Sequence, residues 1–319
     1  MRSLSRRQFV GSMGVAAAAV AGVGCGGSSS SDSGSKVQTI KDRGKLKCGV
    51  KKDVVGYGLL DTATGKYEGM EIDLCYQVAA KIFDVSYEDA KDKDLVEFTD
   101  VTPKTRGPLI DNDTLDLICA TYTITDERKQ SWDFTDPYRT DHVGILVKKG
   151  SMSSMNDLDG KHIGVSQGST TKDAITKMLQ DNGFTATPQF DEYPDYPSIN
   201  SALDAGQIDA FAMDRSTLKT YTTDDKELLQ PEIEFGAQDY GIATKKGSDL
   251  SEVTEAVVKD VTSNGWIEIE KGNTFDYDEE TEILTATWKV ADGGKFTSAM
   301  IEGSTGESVT LTEPKEFTF

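Results

Sequence analysis

The chain has 319 residues, with 34 Lys and Arg against 54 Asp and Glu, a formal charge of −20, and 37% hydrophobic residues. Such an acidic balance disfavours nucleic acid or an anionic membrane surface as a general partner. The lack of any run rich in Leu, Ile or Phe excludes a polytopic membrane protein, which leaves an acidic globular chain of about two domains.

Residues 1–24 hold Arg2, Arg6 and Arg7 and no acid, followed by an Ala/Gly/Val-rich stretch. This reads as a secretory signal. SRRQFV at 5–10 resembles a twin-arginine export signal. Cys25 follows small residues and precedes a Ser/Gly tether at 26–35, the pattern of a lipidated cysteine in bacterial lipoproteins, although Gly22 replaces the usual branched apolar residue. Localisation is therefore expected to be extracytoplasmic, with a lipid anchor on the membrane. Removing residues 1–24 takes the charge to −23 and, with Cys25 lipidated, leaves the thiols of Cys48, Cys75 and Cys119, an odd number. They read as core filler, with one disulfide as the alternative, and their spacing matches no zinc pattern.

From Gly44 onward, short apolar strands alternate with helical stretches, which is an α/β signature. Leu46, Cys48 and Val50 alternate as a strand does. Leu74, Cys75, Val78, Ala79 and Ile82 fall on one helical face after the Gly69 turn. The order begins again near Lys161, with a strand at 163–165, a GSTT turn, and Ala174, Ile175, Met178 and Leu179 at helical spacing. LIDNDTLDLICAT (109–121) lies over ALDAGQIDAFAMD (202–214) without a gap, matching Ile110 to Leu203, Asp111 to Asp204, Leu115 to Ile208 and Asp116 to Asp209. Two similar lobes are expected, with Thr121 and Asp214 at equivalent strand ends. Ligands of open α/β sheets bind there, in a cleft between the lobes.

ATYTITDER (120–128) places Thr121 and Thr123 toward that cleft, with Arg128 reaching back as a planar fork for a carboxylate; a loop with a surface ion pair is the plainer reading. QGSTTKDA (167–174) sets Ser169 and Thr170 at a helix start, where N–H groups bind anions, or where a Thr simply caps the helix. Asp214 ends an apolar strand and needs a partner, which a ligand ammonium supplies, with Arg215 or a turn cap as alternatives. Lys51 and Arg106 add positive charge for an anionic ligand, and Tyr57 lies in the first loop to close over an aliphatic stem.

These strings resemble the extracellular solute-binding proteins of polar amino-acid ABC importers. The matching segments are GVKKDV (49–54), YEGMEIDL (67–74), TRGPL (105–109), ATYTITDERK (120–129), FTDPY (134–138), GVSQGSTTK (164–172), YPSINSALDAGQIDAFAMD (196–214) and YGIATKKG (240–247). The resemblance runs from about 36 to 265 and is nearest to aspartate/glutamate-binding members. It implies a two-lobed periplasmic-binding-protein fold of type II. Arg128, Thr123 and Thr170 would hold the α-carboxylate, and Asp214 with Thr121 the α-ammonium. Lys51 and Arg106 would hold a side-chain carboxylate, with Tyr57 packed on the ligand, although VVGYG lacks the Pro often found there.

The expected layout is a signal at 1–24, lipidated Cys25 and tether to 35, lobe 1 at 36–142, lobe 2 at 143–238, a return to lobe 1 at 239–270, and an extension at 271–319. That extension, with ten acidic residues against four Lys and a hairpin-like VADGGKF, reads as β-rich or partly disordered. The implied function is capture of glutamate or aspartate by lobe closure and delivery to a permease and its ATPase, by a monomer without metal or cofactor. A dehydratase-like enzyme on the same scaffold and a surface receptor or adhesin are the alternatives. Neither His142, at the presumed hinge, nor His162, at a strand start, is well placed for catalysis.

Overall fold

The structure, a computed structural model, describes residues 35–229 and 234–263 together with the backbone of five strands between residues 274 and 318. The signal, Cys25 and most of the tether lie outside the described residues.

The first sheet has the strand order Val96–Asp100, Leu46–Val50, Leu117–Ile118, Ala243–Lys245, Trp132–Phe134. Its first three strands run parallel, and Ala243–Lys245 is antiparallel to both of its neighbours. The second sheet repeats this plan with Gln189–Tyr193, His162–Ser166, Ala210–Asp214, Val143–Lys148 and Lys226–Leu228, again parallel in the first three and antiparallel afterwards.

The repeat extends to single residues. Asp116 donates its N–H to the Lys47 carbonyl and accepts the Lys47 N–H at 2.8 Å; Asp209 makes the same reciprocal pair with His162 at 2.9 Å. The turn before each strand carries a left-handed residue at the same point, Asp113 at φ +59 and Gly206 at φ +69. Central strands of such sheets are covered on both faces. Gly49 and Gly164 therefore sit where a Cβ would meet side chains, Ile118 and Leu115 in one lobe and Ile199 and Ile208 in the other, at 2.4–2.7 Å.

The helix Met70–Phe83 starts at Gly69, whose φ of +125 and close approach to the Tyr57 carbonyl exclude a side chain. Glu71 and Asp73 in its first turn favour the positive helix end, and Asp84 closes it in the left-handed conformation. In the other lobe the helix Thr171–Asp181 buries Ile175, Met178 and Leu179 at the expected spacing. The three thiols of Cys48, Cys75 and Cys119 are unpaired and fully buried, as core filler should be.

The chain passes from the first sheet to the second through Arg139–Asp141 and returns through Gln238–Tyr240. These strands pair antiparallel, Asp141 with Gln238 and Arg139 with Tyr240. One apolar cluster continues through both lobes, with Tyr57, Tyr138, Tyr196 and Tyr240 among its members. In the extension, Thr274–Asp278 pairs with Ile283–Trp288, which pairs with Lys315–Thr318, all antiparallel, so the described part matches the β-rich alternative. Among the described residues no helix is long and apolar enough to cross a membrane.

Candidate functional site

Where the lobes meet beside the crossing strands, a cavity of about 10 Å3 is lined by Pro103, Arg106, Thr121 and Thr123 from the first lobe, by Ser169, Thr170, Thr171, Tyr196, Met213 and Asp214 from the second, and by Gln238. That volume is on the scale of one water molecule, so the lobes stand closed upon each other. Six of the nine residues expected from sequence line it. Lys51, Tyr57 and Arg128 do not.

Thr121 reaches the cavity through backbone strain. Its φ of +42 is rare for a β-branched residue. It is held there by its N–H, which donates to Glu71 Oε1 at 2.5 Å, and by its carbonyl, which accepts Arg106 Nη1 at 3.1 Å. Glu71 also accepts the Tyr138 hydroxyl at 2.5 Å. Burial raises the Glu71 pKa, and these two hydrogen bonds pull against that rise.

Arg106 is buried, stacks on the Tyr122 ring at 3.8 Å and donates to the Ala120 carbonyl at 2.6 Å, while its Nε has no hydrogen-bond partner among the described residues. Lys51 is also buried. Its Nζ lies 3.1 Å from Asp53 Oδ1 and 4.3 Å from the centre of the Tyr196 ring, which belongs to the other lobe. Burial lowers the Lys51 pKa, and Asp53 opposes the fall.

Arg128 does not line the cavity. Its fork is engaged by main-chain carbonyls, Nη1 with Thr123 at 2.7 Å and Nη2 with Gly168 of the opposite lobe at 3.1 Å. Burial and then the like charge of Arg106 bring its pKa down to about 10, so it remains a cation at neutral pH. Tyr57 also bridges the lobes, its hydroxyl 3.0 Å from Ser216 Oγ.

Thr170 occupies the N-cap position of its helix, yet its hydroxyl makes no capping bond; it donates to Gln238 Oε1 at 2.7 Å. The plain capping role is thus set aside, and the hydroxyl faces the cleft. Ser169 Oγ, buried beside it, has no hydrogen-bond partner among the described residues. The N–H groups of the helix start lie at the same point, and groups of this kind suit an anion.

Asp214 ends its strand, caps nothing with its side chain, and accepts the Tyr240 hydroxyl at 2.6 Å. Burial, and secondly the nearby carboxylate of Asp141, push its pKa up to about 7 against that hydrogen bond. Asp141 is itself supplied with donors by Ser216 and by the His142 N–H. His142 pairs with Glu234 at 3.1 Å and His162 with Asp191 at 2.7 Å, and neither lines the cavity.

Sequence reasoning missed Gln238, Tyr196, Glu71 and Asp53. For Gln238 a signal was present: in AQDYGIA it stands two residues before Tyr240, so strand alternation puts both on one face.

A profile of the bacterial extracellular solute-binding proteins, family 3, matches residues 46–271. The chain belongs to this family. It is 34% identical over 250 residues to the ABC transporter glutamine-binding protein GlnH of Bacillus subtilis, covering 76% of this chain and 87% of the relative. It is 35% identical over 212 residues to the glutamine-binding protein of Geobacillus stearothermophilus, covering 66% and 76%. An ancestral arginine-binding protein bound to arginine superposes with a TM-score of 0.59 at 29% identity, covering 71% of this chain and 96% of that one. Family and fold make the family-3 chain an amino-acid solute-binding protein of the kind that serves ABC importers.

Proposed function

We propose that the protein captures a polar amino acid, glutamine before glutamate or aspartate, between its lobes and presents it to an ABC permease. The observation that carries this reading is the convergence on one cavity of hydroxyls at a helix start and a buried carboxylate, groups of the two kinds that the charges of an amino acid require. Thr123, Thr170, Ser169 and the fork of Arg128 suit the α-carboxylate. Asp214, with Thr121 beside it, suits the α-ammonium.

Charge balance favours a neutral side chain. Lys51 is already offset by Asp53, and Arg106 lies among Glu71, Asp214 and Lys51, leaving one unpartnered N–H that suits an amide oxygen. The two relatives named for glutamine support the same choice. Glutamate is the second reading, because Lys51 and Arg106 place two cations on one side of the site. In either case the lobes part to admit the ligand and close on it through differential affinity. The mature chain would be a monomer held to the membrane by a lipid on Cys25.

A thermal-shift screen of the twenty amino acids decides the ligand class. Glutamine is expected to stabilise most, with glutamate and aspartate behind it. Stabilisation by basic amino acids alone would refute the specificity while leaving the binding role standing.

A further inference from the structure

Gln238 stands in the cavity, and nothing in the proposed binding of an amino acid uses it. It lies on the returning crossing strand, opposite Asp141, and is buried. Its Nε2 donates to the carbonyl of Gly236 at 2.8 Å, which fixes the orientation of the amide, because a carbonyl accepts only an N–H. The amide oxygen therefore faces the cavity. There it accepts the Thr123 hydroxyl at 2.6 Å and the Thr170 hydroxyl at 2.7 Å, one donor from each lobe.

An oxygen held between these two hydroxyls has the surroundings of one oxygen of a bound carboxylate. The remaining anion donor is occupied in the same way, since the Arg128 fork rests on the carbonyls of Thr123 and Gly168. We propose that Gln238 is an internal surrogate for the α-carboxylate of the ligand: it draws the ligand-free lobes together and must swing away before a carboxylate reaches Thr123 and Thr170. The inference rests on the assignment of those two hydroxyls to the carboxylate in the function proposed above.

Two consequences follow from the chemistry. A carboxamide oxygen is a weaker acceptor than a carboxylate, so a free amino acid displaces Gln238, whereas an amino-acid amide, neutral at that end, gains little by doing so. The surrogate also lowers apparent affinity, because closed ligand-free protein is withdrawn from the binding-competent population. Gln238 thus tunes both affinity and selectivity for a free carboxylate.

The test compares Gln238→Ala and Gln238→Glu with the wild-type chain, by calorimetric titration with glutamine and by small-angle X-ray scattering without ligand. Removing the surrogate oxygen in Gln238→Ala is expected to tighten binding roughly tenfold, the loss of two competing hydrogen bonds, and to enlarge the ligand-free radius of gyration. Gln238→Glu, nearly isosteric but anionic, is expected to weaken binding at least about tenfold and to keep the ligand-free protein compact. Equal weakening in both variants, or no change in either, would overturn the proposal and leave Gln238 a structural residue of the crossing strand. If the wild-type chain bound no amino acid, the proposed function would fall, while the scattering comparison would still decide whether Gln238 holds the lobes together.

Discussion

Asp214 is a carboxylate held buried at a strand end. Its ordinary pKa is 3.8, and burial, with the Asp141 carboxylate second, raises it to about 7 in the folded chain. Between these values the folded state binds a proton that the unfolded chain has released, so ligand-free stability falls as pH rises from about 4 to about 7. Near pH 7 the cost is as much as about 4 kcal/mol, converting the shift at 1.36 kcal/mol per unit. A ligand ammonium offsets that cost by favouring the carboxylate. Asp214→Asn is therefore expected to raise ligand-free stability at pH 7, with little gain at pH 4, and to abolish amino-acid binding. Urea denaturation at the two pH values checks the first part. A variant less stable than wild type at pH 7 would show that Asp214 is structural rather than reserved for a ligand.

The legibility of the site divides along physical lines. Thr121, Thr123, Ser169, Thr170 and Asp214 were readable because each stands at a strand end or helix start, where local pattern fixes direction. Lys51 and Arg128 are expected from sequence as cations for the ligand, with a surface ion pair as the plainer reading of Arg128; in the structure Asp53 and two main-chain carbonyls engage them. Those partners come from neighbouring turns and the opposite lobe, which sequence spacing does not reveal. The strain at Thr121 is equally silent in sequence, because it depends on Glu71, fifty residues earlier.

At the scale of elements, the two lobes are the same unit built twice. The overlay of 109–121 on 202–214 was legible because Asp116 and Asp209 perform one task, tying neighbouring parallel strands together with a backbone N–H donated in one direction and a side-chain carboxylate accepting a backbone N–H in the other. The glycines repeat as well. Adding one methyl at Gly49 or Gly164 forces it against side chains at 2.4–2.7 Å on a sheet covered from both sides. Gly49→Ala and Gly164→Ala are each expected to destabilise by about 1–3 kcal/mol, the usual cost of overpacking. Chemical denaturation reads the two values. A difference of several kcal/mol between them would mean that the lobes do not share the packing that the repeat implies. The use of Gln238 inside the cavity depends on the arrangement of the two lobes against each other, which local sequence pattern does not reveal.

At the scale of the whole molecule, the net charge says little about the ligand. The chain carries a formal charge of −20, yet the cavity has Arg106 in its lining, with Lys51 beside Tyr196 and Arg128 beside Thr123, so the local charge there opposes the net charge in sign. Among the described residues, bonds between the lobes include Arg128 to the Gly168 carbonyl, Lys104 to Gln167 at 3.1 Å, Tyr57 to Ser216, Ser216 to Asp141, Tyr240 to Asp214 at 2.6 Å and Thr123 to Gln238 at 2.6 Å. Hydrogen bonds of this kind are what an opening of the lobes would have to break and remake.

The central claim is that an amino acid binds between the lobes with its carboxylate on Arg128. Calorimetric titration of glutamine into the wild-type chain and into Arg128→Ala tests it directly. The account predicts binding near micromolar, on the order of −8 kcal/mol, in the wild type. It predicts a loss of roughly tenfold to a hundredfold or more when the charge-assisted fork is removed. Equal affinity in the two proteins would contradict it.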